Sequence, residues 1–275
     1  MQDLYSKWLL ISDIDGTLNT KSFKLPENNK IAIKEFVNNG GNFTLCSGRN
    51  LQSLSIHYNK LGISTPAIFL NGAGIYDFKN NEMIYQNSIS SEGEKIILDV
   101  LKKHKLAQLT VFTADKILLA TRKCIYGRII SKMDKLDCEL YKKISDLPRG
   151  VWGKVSFFGT KGLINKLKDV FSNDDNSKLF ECFKTSPYTL EVVRKGVNKG
   201  AAVLKLAELL NIEKSNTAAI GDYYNDVEML KRVAHPVCCG QAPDDIKEIS
   251  EYVACHCNDG AVADFIDYIK TNYIK

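Results

Sequence analysis

Two aspartates separated by one residue, in Asp13-Ile14-Asp15-Gly16-Thr17, follow the short apolar run Trp8-Leu9-Leu10-Ile11. The run shows no polar alternation, the pattern of a strand covered on both faces in a parallel α/β sheet. Ligands of such sheets bind beyond the carboxyl ends of the strands, and Asp13 stands at such an end. Like charges this close repel unless a cation neutralises them or one of them holds a proton. The pair therefore asks for a metal ion, a proton-transfer role, or both. Taken alone, Asp-Ile-Asp-Gly is also an ordinary solvated turn, since Asp and Gly favour turns for conformational reasons. The rest of the chain decides between the two.

Three further groups follow in order, each at the end of an expected strand: Ser47-Gly48-Arg49, then Lys199 within Gly196-Val197-Asn198-Lys199-Gly200, then Gly221-Asp222-Tyr223-Tyr224-Asn225-Asp226. Singly they have plain readings. Ser-Gly-Arg is a loop running into a helix, Lys199 a surface lysine at a helix head, and Asn225-Asp226 a helix cap. Arg49 suits either a phosphate contact or a solvated helix start. Together with the aspartates they supply a carboxylate nucleophile, hydroxyl and amide donors, a cation and metal-binding carboxylates, which are the needs of phosphoryl transfer.

The elements that must position these groups alternate. Apolar runs at 42–46, 67–70, 217–220, 236–239 and 252–255 end in polar or glycine-containing loops. Between them lie amphipathic stretches at 26–37, 199–210 and 261–269, the first with Pro26 at its head and Gly40-Gly41 beyond its end. This strand–helix rhythm predicts a doubly wound parallel, Rossmann-like sheet. From 78 to 188 the rhythm changes. A helix is expected at 92–105, strands at 108–113, 116–121 and 154–158, a helix at 163–171, and a hairpin of 180–184 with 188–193 around Ser186-Pro187. That α+β pattern predicts an inserted second domain at 78–188 within a discontinuous core of 1–77 plus 189–275, with hinges at 76–80 and 185–189. The insert carries 20 Lys and Arg against 13 Asp and Glu. Such an excess would steer anionic substrates toward an acidic catalytic mouth, although most of these lysines are read as solvating outer helix faces.

Composition narrows the classes. The chain has 275 residues, 44% hydrophobic and 25% charged, enough for a full core in two domains. No apolar stretch reaches bilayer length, and the amino terminus lacks the basic-then-apolar plan of a secretory signal. A cytoplasmic location and no membrane partner are expected. Basic and aromatic residues are not interleaved, which disfavours nucleic acid. The eight cysteines are read as reduced thiols. Cys238-Cys239 and Cys255-His256-Cys257 lack the two-to-four-residue spacing of structural zinc sites.

With these motifs in this order, the chain resembles the haloacid dehalogenase superfamily of phosphatases, specifically the Cof-like branch with a type IIB cap. Asp13 and Ser47 are 34 residues apart and Ser47 and Lys199 are 152 apart, so the insertion falls where the type II cap does, entered through Asn71-Gly72-Ala73. The resemblance implies that Asp13 is the nucleophile and becomes an aspartyl-phosphate, and that Asp15 is the general acid and then base. It implies that Asp13, the backbone carbonyl of Asp15, and Asp222 bind Mg²⁺. Ser47, Gly48, Lys199 and Asn225 would hold the phosphoryl group. Asp226 would orient the metal site and Lys199, and Thr17 would brace the loop of Asp15. Two departures stand out: Ser47 where Thr is commoner, and Gln241-Ala242 where the branch usually has Asn-Ala, a position read as structural or peripheral. The expected activity is Mg²⁺-dependent phosphomonoester hydrolysis of a small metabolite, such as a sugar phosphate or phosphorylated cofactor. The alternatives are a phosphomutase and a non-catalytic phosphometabolite-binding regulator.

Overall fold

The computed structural model describes residues 5–120, 125, 127, 129 and 137–274. Residues 1–4 and the last residue of the expected strand at 116–121 lie outside them. Two compact units divide the chain, one of residues 1–48, 54–84 and 198–275, the other of 49–53 and 85–197.

The first unit is built on a five-stranded parallel sheet: β1 (Leu9–Ser12), β2 (Asn42–Leu45), β12 (Thr217–Gly221), β13 (His235–Cys238) and β14 (Tyr252–Val253). Their order is β14-β13-β12-β1-β2. β1 is an interior strand and completely buried, as its unbroken apolar run requires. Its register sets Ser12 beside Ile220 on one side and Leu45 on the other. The chain therefore leaves β1, β2 and β12 at one edge, bringing Asp13, Ser47 and Asp222 to the same end of the sheet. The expected helices form at Glu27–Asn38, Lys199–Leu209 and Ala261–Tyr273. Beyond β2, β3 (Ala67–Phe69) joins through a parallel bridge of Ile68 to Cys46, then pairs antiparallel with β4 (Gly74–Asp77), which precedes β5 (Glu82–Gln86). Among the described residues no helix is long and apolar enough to cross a membrane.

The second unit carries a six-stranded sheet of order β10-β11-β9-β6-β7-β8, from β6 (Gln108–Phe112), β7 (Ile117–Leu119), β8 (Cys138–Leu140), β9 (Lys154–Phe158), β10 (Phe180–Ser186) and β11 (Thr189–Arg194). Helices Ser91–Lys103 and Lys161–Ser172 contribute to a core that includes Trp152, Phe157, Phe171, Phe180, Leu190 and Val192. The α+β character expected of the insert is thus present.

The unit boundaries fall elsewhere than 77/78 and 188/189. β11 pairs with both β10 and β9, so 189–197 belongs with the second sheet, because a hairpin closed by a tight turn cannot be divided between two folding units. Ser186 Oγ donates to Thr189 Oγ1 at 3.0 Å inside that turn, so the expected hinge at 185–189 falls within the β10–β11 hairpin. Likewise 76–80 is part of the β4–β5 turn, where Asp77 accepts the amides of Lys79 and Asn80 at 2.8 and 3.1 Å. The chain leaves the second unit near Gly196, a left-handed residue at φ +80°. Residues 49–53, expected with the core, group with the second unit: the Leu51 amide donates to Ala114 O at 2.9 Å and the Asp137 amide to Gln52 Oε1 at 2.8 Å.

Candidate active site

The ends of β1 and β12 are locked together by the Asp13 amide, which donates to Ile220 O at 3.1 Å. Asp13 is buried, at 3% exposure, and its Oδ1 accepts from Lys199 Nζ at 2.6 Å. Lys199 opens the helix Lys199–Leu209, whose first turn is capped by Asn198 Oδ1 accepting the Ala201 amide at 2.8 Å. It is fully buried. That overturns the surface-lysine reading, since an ammonium leaves water only where carboxylates replace the lost hydration.

The second carboxylate on Lys199 is that of Asp226, also fully buried, with Oδ1 at 2.6 Å. Asp226 Oδ2 accepts the amides of Asp222 and Tyr223 at 3.0 and 3.2 Å. Both Asp226 oxygens are therefore engaged, and their effect is to fix Lys199 and the start of the Asp222 loop. Asp222 itself is half-buried, and its Oδ1 accepts from Thr17 Oγ1 at 3.3 Å. Gly16 approaches closely from the opposite loop. It sits at φ +82°, and a Cβ there would lie 2.4 Å from Asp222 Oδ2, so only glycine suits this turn.

Carboxylate oxygens of Asp13, Asp222 and Asp226 lie within 4.8 Å of one another. One ammonium faces three carboxylates. Burial pushes the Asp13 carboxyl up to about 8, against the pull of Lys199 and with help from the charges of Asp226 and Asp15. Burial, then the Asp226 charge, raises Asp222 to about 6. A site that resists ionisation of its own carboxylates is short of positive charge. Its donors are hard oxygens, and with Asp226 committed to Lys199 and two amides, Asp13 and Asp222 are the ones fit to hold a divalent cation such as Mg²⁺.

The other expected residues lie on the same unit, except Arg49, which groups with the second. Asp15 is exposed on the turn and outside the three-carboxylate group. Ser47 is buried, its amide donating to Ile68 O and its carbonyl accepting the Asn71 amide at 2.9 Å. Gly48 follows it, against the Asn71 side chain. Asn225 is exposed on the 3-10 turn Tyr224–Asp226. Arg49 Nη1 donates to Ser53 Oγ at 2.7 Å.

Two residues gained no site role from sequence. Asn71 was read only as the entry to the insert, yet Leu70 and Asn71 are consecutive non-glycine residues at φ +48° and +57°, and Asn71 Oδ1 is buried without a hydrogen-bond partner. Backbone strain of this kind concentrates at functional sites, and the Asn-Gly dipeptide was its only visible signal. Gln241, read as structural or peripheral, reaches the catalytic turn, its Nε2 donating to Gly16 O at 2.6 Å.

The chain is similar to known proteins over nearly its whole length. The family model of the haloacid dehalogenase-like hydrolases matches residues 10–266. The chain is 27% identical to the 5-amino-6-(5-phospho-D-ribitylamino)uracil phosphatase YwtE of Bacillus subtilis, over 94% of this chain and 96% of that protein. It is also 27% identical to YcsE, a phosphatase of the same name from that organism, over 89% and 88%. In fold it is similar to a haloacid dehalogenase-like hydrolase from Bacteroides thetaiotaomicron, with a TM-score of 0.87 at 22% identity over 95% and 99% of the two chains. A HAD subclass IIB sugar phosphatase aligns with a TM-score of 0.80 at 20% identity over 98% and 100%.

Proposed function

The chain belongs to the haloacid dehalogenase-like hydrolases and is a phosphatase of that family; from this premise we propose that it hydrolyses small phosphomonoesters with Mg²⁺ and an aspartyl-phosphate intermediate on Asp13. The observation that carries the reading is the fully buried Lys199 bridging Asp13 and Asp226, with Asp222 alongside.

Mg²⁺ held by Asp13, the Asp15 carbonyl and Asp222 would keep the Asp13 carboxylate ionised and neutralise charge on the phosphoryl oxygens. Lys199 orients Asp13 through Oδ1, leaving the other carboxylate oxygen for in-line attack. An Asp13 O–P bond forms as the ester P–O bond breaks, and the departing alkoxide takes a proton from the Asp15 carboxyl. The Asp15 carboxylate then accepts a proton from the water that attacks the acyl phosphate. Phosphate leaves, and the Asp13 carboxylate is regenerated with Asp15 again protonated. Ser47 Oγ, the Gly48 amide, Lys199 and Asn225 hold the phosphoryl oxygens in this reading. Thr17 braces the turn, and Asp226 fixes Lys199.

The second unit acts as the substrate-selecting cap, and the reaction belongs to the cytoplasm, with a small phosphorylated metabolite as the partner rather than nucleic acid or membrane. The phosphoribityl substrate named for YwtE and YcsE and the sugar phosphate of the subclass IIB enzyme define the classes to try first. Asp13→Asn should abolish Mg²⁺-dependent release of p-nitrophenol from p-nitrophenyl phosphate while leaving the circular dichroism spectrum unchanged. Near-wild-type turnover by that variant would overturn the reading. A panel of phosphorylated sugars and cofactor precursors, ranked by kcat/KM, then fixes the class.

A further inference from the structure

We propose that Gln241 is a positioning residue of this reaction, setting the Asp15–Gly16 turn against Asp222 by joining that turn to the loop after β14. The inference rests on the phosphatase reading above and concerns the one motif position where the chain departs from its branch in side-chain length.

Gln241 follows β13 and Gly240, 225 positions from the residue it binds. Its two amide groups are both used. Nε2 donates to Gly16 O at 2.6 Å, and Oε1 accepts the Cys257 amide at 3.0 Å. Cys257 opens a 3-10 turn, Cys257–Asp259, that is itself fastened to the chain beyond the catalytic turn. There the Lys21 amide donates to Asn258 Oδ1 at 3.2 Å, and Asn28 Nδ2 donates to Asp259 O at 2.9 Å. Gln241 is thus the inner member of a set of ties joining the 257–259 turn to the segment after Asp15.

The need for such a tie follows from Gly16. It is the residue of the turn with the most conformational freedom, and its left-handed φ brings its Cα so near Asp222 that no Cβ fits. Any rotation about Gly16 moves the peptide that carries the Asp15 carbonyl, a proposed Mg²⁺ ligand, and the Asp15 carboxyl with it. Asp222 and Thr17 bound the turn on one side. Gln241 holds its carbonyl from the other. An asparagine is one methylene shorter and cannot make both bonds from the same backbone position, so the longer side chain is matched to this loop spacing. Groups that orient metal ligands in this way typically change metal affinity or activity by about 10- to 100-fold when removed.

The test compares Gln241→Ala, Gln241→Asn and wild type by Mg²⁺ calorimetry without substrate, by kcat and KM with p-nitrophenyl phosphate, and by thermal unfolding. Gln241→Ala is expected to weaken Mg²⁺ binding about tenfold and to lower kcat about tenfold, with KM within about twofold. Gln241→Asn should fall between alanine and wild type in both. Unchanged Mg²⁺ affinity and kcat in Gln241→Ala would overturn the proposal, whether or not the melting temperature falls, since a purely structural tie would move only the last. If wild type bound Mg²⁺ but released no phosphate, the phosphatase reading would fail, and calorimetry would still score Gln241.

Discussion

Each unit buries a lysine against carboxylates, and the two arrangements differ in charge balance. In the second unit, Lys154 Nζ meets Glu191 Oε1 at 2.8 Å across β9 and β11, with both side chains largely buried, and lies 4.7 Å from the centre of the Phe112 ring. One ammonium meets one carboxylate, and an aromatic face completes its surroundings. In the first unit, one ammonium meets Asp13 and Asp226 at 2.6 Å each, with Asp222 beside them. The balanced pair is self-sufficient and belongs to the sheet. The unbalanced cluster is short of positive charge, which makes it a candidate site for a divalent cation. Burial of a charged group therefore does not distinguish structure from function in this molecule, whereas the excess of one sign does.

Replacing Lys199 puts the largest expected effect on that contrast. Lys199→Met leaves two buried carboxylates without their ammonium and should lower kcat with p-nitrophenyl phosphate by about 10³-fold, the order seen when a preorganised charge-stabilising donor is lost. Adding Asp226→Leu should not restore turnover, because neither the orientation of Asp13 nor the neutralising charge returns. Recovery of activity in that double variant would show that the cluster is as self-contained as the pair in the sheet.

The sheet pair should behave in the opposite way. Lys154→Met strands Glu191 and is expected to cost about 2 kcal/mol of stability, below the usual figure for a fully buried pair because Glu191 keeps some water. The double change Lys154→Met with Glu191→Leu should recover most of it, since apolar residues of similar size replace balanced buried pairs at little cost. Urea unfolding of the two variants measures both. A double variant no more stable than the single one would mean that the pair does more than fill its place.

Much of this was legible from the residues. β1 read as a buried parallel strand because its apolar run has no polar interruption, and β2, β12 and β13 because apolar runs recur and end in polar or glycine-containing loops; the motif aspartates follow β1 and β12 directly. The helix at 199–209 was fixed by its apolar stripe. What sequence could not supply was tertiary register. Nothing around Lys199 says that it is buried, because that depends on Asp13 and Asp226, 186 and 27 positions away. The 188/189 boundary cut through the hairpin of 180–184 with 188–193 that the sequence itself indicated, and β11 stays with that hairpin in the second unit. Gln241 was read only as structural or peripheral because its partners, Gly16 and Cys257, meet it only once the sheet is assembled.

The smallest effect to test is the pH dependence that the charge imbalance imposes. Asp13 and Asp222 are both raised, to about 8 and about 6, above the value near 3.9 of an unfolded aspartate. Between those limits the folded protein retains protons that the unfolded chain has released. Without metal, the stability linked to these groups is fully present below about pH 4 and is lost as pH rises through 6 and then 8. Mg²⁺ competes with those same protons, so its binding should tighten over the interval in which they depart. The melting temperature of chelator-treated protein is therefore expected to fall from pH 5 to pH 9. The increment produced by saturating Mg²⁺ should grow over the same range, and the Lys154–Glu191 double variant should reproduce both trends, because it leaves the cluster untouched. An increment that shrank as pH rose would mean that the buried carboxylates are already ionised without the metal, and that Lys199 alone balances them.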